Sequence, residues 1–174
     1  MNVLRFIEQS PRRVLALLAL GCVAGLGFAL YLQHQVGLEP CPMCIVQREV
    51  LILVGVVSAL SAALARQRRG VRVGSALVAV LAALGAFVAA RQSWLQWYPP
   101  EVTTCGRDLY GMIETFPLQR VIPMVFKGSG DCSVVDWTFL GGSLANWSFV
   151  VFCGVMVLSG VLFARASNPT HPAQ

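Results

Sequence analysis

The sequence predicts an all-α membrane protein, a bundle of four transmembrane helices with both termini cytoplasmic and two loops facing the opposite side. Three observations carry this. Only 12% of the 174 residues are charged and 56% are hydrophobic, roughly half the charged share of a soluble domain. The apolar residues fall into four blocks, each near the ~20 residues a helix needs to cross a ~30 Å hydrocarbon core. The basic residues gather at alternate ends of those blocks.

The blocks are residues 14–32, 44–65, 71–90 and 144–164. Inside a bilayer every backbone N–H and C=O must be paired within the segment, so each block is expected to be a helix. One membrane domain, residues 1–174, accounts for the whole chain. The first block is longer than the ~7–15 residues of a signal-peptide core and lacks a small-x-small cleavage site, which makes it a retained anchor.

Arg5, Arg12 and Arg13 precede the first block, Arg66, Arg68, Arg69 and Arg72 crowd the turn after the second, and Arg165 follows the fourth. The other two connections hold Arg48 and Arg91 at block edges, then Arg107, Arg120 and Lys127 among five acids. Basic loops stay cytoplasmic, so the termini and the middle turn face inward. The net charge of +5 is thus a topology signal, not a nucleic-acid surface. Trp94, Trp97, Trp137, Trp147, Tyr31 and Tyr98 cluster towards the outer ends of the blocks, as an interfacial aromatic belt requires.

The outer connections are residues 33–43 and 91–143. The second exceeds the ~12–15 residues usual for a structureless loop, which favours function or local order. Residues 111–126, "GMIETFPLQRVIPMVF", are too apolar for a free loop and too interrupted to span, so they are expected along the membrane surface. The tail "SNPTHPAQ" reads as disordered.

Six cysteines are distributed unevenly. Cys22 and Cys153 fall inside apolar blocks, where a cysteine is ordinarily a small hydrophobe. Cys41, Cys44, Cys105 and Cys132 all lie towards the outer side, an arrangement that implies disulfide chemistry in an oxidising compartment. A Cys41–Cys44 bridge closes a very short loop and is a poor staple. A Cys105–Cys132 bridge closes a far longer one and suits a structural link worth about 3–4 kcal/mol. Zinc fits less well, because only one cysteine pair is tight and His34 and His171 are expected on opposite sides. No histidine lies inside a block, which excludes a bis-histidine haem within the membrane. Structural disulfides, a zinc site and a redox device all remain open on these counts.

The stretch "EPCPMCIVQRE", residues 39–49, favours the redox device. Pro40 and Pro42 are expected to delay the second helix until Cys44. Cys44 then sits at a helix N-terminus, where unpaired N–H groups and the macrodipole favour an anion. Arg48 lies one turn further on along the same face. Both features favour the thiolate, the reactive species. Arg48 also runs against the charge asymmetry, which weighs against simple snorkelling. A thiolate at the lipid–water boundary suits an acceptor dissolved in lipid, and a quinone is the natural candidate.

These residues carry a resemblance to a known family. "CPMC" followed by "IVQR", "WLQWYP" after the third block, and "VFKGSGDC" with "WTFLG" before the fourth are similar to segments of the disulfide bond formation protein B (DsbB) family. That family comprises quinone-dependent thiol oxidases of the bacterial inner membrane. The resemblance covers nearly the whole chain, although "LGGSLANW" is less proline-rich than the family's usual segment. It implies a Cys41–Cys44 disulfide coupled to ubiquinone or menaquinone, with Cys44 meeting the quinone ring and Arg48 in the quinone site. Gln96 of "WLQWYP" is implied as a further lining residue. It implies a Cys105–Cys132 shuttle disulfide, with Cys105 attacked by a periplasmic thioredoxin-fold oxidase (DsbA-like) and Cys132 exchanging with Cys41 in an interloop intermediate. Electrons then reach the respiratory chain indirectly, with no metal, haem or nucleic acid involved.

Overall fold

The computed structural model describes residues 10–65, 67–99, 123 and 130–167. Four long helices dominate: α1 (Pro11–His34), α2 (Pro42–Leu64), α3 (Arg68–Trp97) and α5 (Leu144–Ser167). Each is long and apolar enough to cross a membrane. A short helix α4 (Gly130–Ser133) and a two-stranded hairpin, β1 (Thr138–Phe139) with β2 (Gly142–Ser143), precede α5.

All four helices differ by a few residues from the apolar blocks, and two of the shifted ends bear on the site. Helix α2 begins at Pro42 rather than Cys44, with Cys41 at the N-cap. Proline at the first helical position loses no hydrogen bond and already has a helical φ, so it starts the helix instead of delaying it. Helix α3 runs on to Trp97, beyond the apolar block ending at residue 90. The segment "RQSWLQW" holds no proline or glycine, so nothing breaks the backbone ladder until the prolines that follow. That extension lifts Gln92 and Gln96 out of a loop and onto a helix.

The four long helices are antiparallel neighbours in sequence order. Helix α3 packs most extensively on α5, and α2 joins α3 to α1. Small residues bring α3 close to its partners: Val78, Ala82, Ala86 and Ala89 meet Val54, Phe152 and Val155 in the main core. The Phe152 ring lies where a side chain on Gly85 would stand, 2.5 Å from an ideal Cβ. Backbones packed through small residues gain van der Waals contact, the main attraction between helices when lipid is as apolar as leucine. Large apolar side chains such as Leu20, Val23, Leu53, Val80, Phe87 and Val157 point away from the bundle. Such a surface matches hydrocarbon.

At one end, Val14 and Leu15 of α1 pack with Leu162 of α5 and with Ala62. Arg12 donates from Nε to the Ala62 carbonyl at 2.8 Å and from Nη2 to the Ala63 carbonyl at 3.2 Å. It thereby satisfies the last carbonyls of α2 with positive charge, as the helix dipole favours. Arg72 lies 5.2 Å above the Phe163 ring at the same end.

The opposite end carries the hairpin. Leu140 and Gly141 form its turn with φ of 50° and 79°, the left-handed pair that a tight two-residue hairpin turn demands. Trp147 Nε1 donates to the Phe139 carbonyl at 2.9 Å, and Trp137 stacks on Phe139 and meets Phe28 edge-on. The hairpin is thus tied to α1 and α5 by aromatic contacts. Cys105, nearly all of the expected surface segment 111–126, and the tail 168–174 lie outside the described residues.

Candidate functional site

Two of the outward cysteines meet at the head of α2. Cys41 Sγ accepts from the Cys44 backbone N–H at 3.3 Å, a sulfur taking the place of the usual oxygen at a helix N-cap. Cys44 occupies the third helical position, and the two Sγ atoms lie 2.8 Å apart as thiols in hydrogen-bond contact. The CPMC spacing produces this directly, since one extended residue followed by a helical turn folds the first sulfur back over the third helical residue.

A third sulfur joins them. Cys132, on α4, is completely buried and packs against Cys41 in a cluster with Met43, Val88 and Leu95. That contact, the bond to Cys44 and burial together push the Cys41 thiol well above its ordinary range. The cap position alone would favour charge on Cys41. The sulfur neighbours and burial act in the opposite direction. Of the four cysteines singled out from sequence, Cys41, Cys44 and Cys132 are together, and Cys105 lies outside the described residues.

Arg48 lies one turn beyond Cys44 and is half-buried. It reaches sideways to α1, donating from Nη1 to Gln33 Oε1 and from Nη2 to the Ala29 carbonyl at 3.2 Å. A guanidinium held by two partners in fixed directions is not snorkelling towards water. Gln96 is half-buried at the other wall. Its Oε1 accepts from Ser143 Oγ at 2.6 Å, and that hydroxyl also accepts the Asn146 N–H at the start of α5 at 3.3 Å.

Three site residues were missed by sequence reasoning: Gln33, the partner of Arg48, Gln92 and Gln47. Gln92 on α3 donates through Nε2 to Cys41 Sγ and Cys44 Sγ, both at 3.2 Å. Gln47 on α2 donates through Nε2 to Gln92 Oε1 at 2.6 Å. They are 4% and 6% exposed. A signal existed for Gln47, a polar residue inside an apolar block, because such residues are costly in a membrane and tend to be functional. Gln92 looked like a loop residue until α3 was seen to continue.

Cys41, Cys44, Arg48, Gln33, Gln92 and Gln96 line one small cleft, with Leu32, Val135, Trp137 and Leu144 supplying apolar walls and Glu39 and Asp136 its acidic groups. The cleft combines apolar walls with the donors of Arg48, but its enclosed space is only about 60 Å³, far below the size of a pocket that holds a whole ring. A much larger apolar groove, about 730 Å³, runs between α1 and α2 past Leu20, Val23, Leu51 and Val56. It lies away from the sulfur cluster and faces lipid.

The chain matches the family model described as disulfide bond formation protein DsbB over residues 11–162. It is 67% identical over 160 residues to the disulfide bond formation protein B of Polaromonas naphthalenivorans, covering 92% of this chain and 95% of that protein. It is 61% identical over 167 residues to its counterpart in an Acidovorax species, covering 95% of each. At 51% identity, the similar protein of an Azoarcus species still spans 83% of this chain and 87% of its own length. With four membrane-spanning helices and a sulfur cluster at one end of the bundle, the chain belongs to the disulfide bond formation protein B family.

Proposed function

We propose that this protein reoxidises the dithiol of a soluble thioredoxin-fold oxidase (DsbA-like) and passes the electrons to membrane quinone, ubiquinone or menaquinone. The observation that carries the reading is the adjacency of Cys132, Cys41 and Cys44, with Arg48 beside the last of them. The three sulfurs are packed in one cluster at the head of α2. In this reading the protein sits in the bacterial inner membrane with the sulfur end in the periplasm. The arginine-rich end faces the cytoplasm, in keeping with the charge asymmetry.

The chemistry balances in four exchanges. A partner thiolate attacks Cys105 of a Cys105–Cys132 disulfide, giving a mixed disulfide and releasing Cys132 as thiolate. The partner's second thiol resolves the mixed disulfide, leaving with its own disulfide and leaving Cys105 and Cys132 reduced. Cys132 attacks Cys41 of the Cys41–Cys44 disulfide, expelling Cys44 as thiolate through an interloop Cys41–Cys132 bond. Cys105 then attacks Cys132, restoring the loop disulfide and freeing Cys41.

Two electrons and two protons have now moved from partner to the Cys41/Cys44 pair. A quinone bound beside Cys44 would supply the sink for both electrons and both protons as the pair closes again. Arg48, braced by Gln33, offers hydrogen bonds to a carbonyl oxygen that gains negative charge.

Purified protein with a reduced thioredoxin-fold partner and a soluble quinone tests the reading. Catalytic partner oxidation with one quinone consumed per disulfide formed is expected. Partner oxidation that proceeds equally well without quinone would overturn it.

A further inference from the structure

We propose that Gln92 is a catalytic residue of the Cys41/Cys44 pair, one amide holding both sulfurs, and that Gln47 is its positioning residue. The proposal rests on the reading of that pair as the dithiol that gives up electrons. The Nε2 group lies 3.2 Å from each Sγ, within donor reach of both sulfurs. The opposite end of the amide is occupied by Gln47 Nε2 at 2.6 Å. With its oxygen engaged on α2, the amide keeps its NH2 group turned to the sulfurs.

This arrangement distinguishes the two redox states. A thiolate is a strong acceptor and gains from an N–H donor, whereas a disulfide sulfur carries no charge and gains little. Closing the pair removes two electrons and two protons from Cys41 and Cys44 and makes one S–S bond, with quinone the acceptor. Opening it by attack of Cys132 on Cys41 breaks that bond and puts an electron pair on Cys44 Sγ. Gln92 stabilises the charge that develops there without itself titrating. The ionisable neighbours of the cleft are Glu39, Arg48 and Asp136, with Cys132 against Cys41. None of them duplicates a donor shared by both sulfurs.

A buried glutamine pair could serve packing alone, so the test must read the sulfurs. The full chain in detergent or lipid discs is compared with Gln92→Leu, Gln92→Glu and Gln47→Leu. Gln92→Glu retains the shape and an acceptor for Gln47 but brings no N–H when ionised, which preserves the fold contact. Cys44 alkylation is followed against pH by peptide mass spectrometry, and the Cys41–Cys44 equilibrium is measured against a dithiol buffer without quinone.

Both Gln92 variants are expected to slow Cys44 alkylation at neutral pH about tenfold, the weight of one hydrogen bond to a charged group, and to move its pH profile to the alkaline side. The equilibrium should shift about tenfold towards the disulfide, ~30 mV. Gln47→Leu should shift both in the same direction by less. A pH profile and equilibrium unchanged in Gln92→Glu overturn the proposal, whatever Gln92→Leu does to folding. Failure of the unmodified protein to reduce quinone would instead overturn the underlying function, and the two failures are read in separate assays.

Discussion

Arg48 on α2 is bound to Gln33 on α1, its Nη1 donating to the Gln33 Oε1. The contact crosses between the first two helices at the end that carries the sulfurs, so it sets both the direction of the guanidinium and the width of the cleft. Removing the charge should weaken quinone use more than partner recognition. Arg48→Ala is expected to raise the apparent KM for quinone about tenfold or more, the scale of one charge-assisted hydrogen bond. Arg48→Lys should be intermediate, because an ammonium keeps charge but lacks the planar fork. Gln33→Ala should shift KM in the same direction by less. Steady-state kinetics with varied quinone decide it, and an unchanged KM in Arg48→Ala would return that residue to a structural role.

The second expectation concerns the two cysteine pairs. Cys105→Ser and Cys132→Ser should each abolish turnover with a protein partner. Both should still allow Cys41 and Cys44 to pass electrons from a small dithiol to quinone. Equal loss of quinone reduction in these variants would show that no two-pair relay exists.

Orientation is open to chemical labelling. After reduction, a membrane-impermeant maleimide applied to intact spheroplasts should modify cysteines of the outward loops. In inverted vesicles the same reagent should leave them untouched. The opposite pattern would reverse the orientation drawn from Arg12, Arg66, Arg68, Arg69 and Arg165.

Packing at Gly85 gives a stability test remote from the sulfurs. Its place against the Phe152 ring leaves no space for a side chain. Gly85→Val should destabilise the bundle by about 1–3 kcal/mol through overpacking, and Phe152→Leu in the same chain should restore part of the loss. Unfolding in mixed detergent, followed by circular dichroism, measures both. Full additivity of the two changes would mean that the residues do not share that contact.

Much of this protein was legible in its sequence because the bilayer imposes one strong rule. Backbone groups in hydrocarbon must pair within the segment, so the apolar blocks announced the four helices. The CPMC spacing and Arg48 announced a cysteine pair at a helix start with a charge one turn away, since both are local matters. The ends of α2 and α3 were less legible. Proline at Pro42 can delay or begin a helix, and polar residues such as Gln92 can extend one when a neighbouring helix receives them. Only tertiary structure decided that Gln92 meets both sulfurs and that Gln47 steadies it. The same holds for Gln96 with Ser143, whereas the meeting of Cys132 with Cys41 was already implied by the family resemblance. The partners in these contacts come from different elements, and a hydrogen bond between them depends on how helices are set side by side. Local periodicity carries no record of that distance.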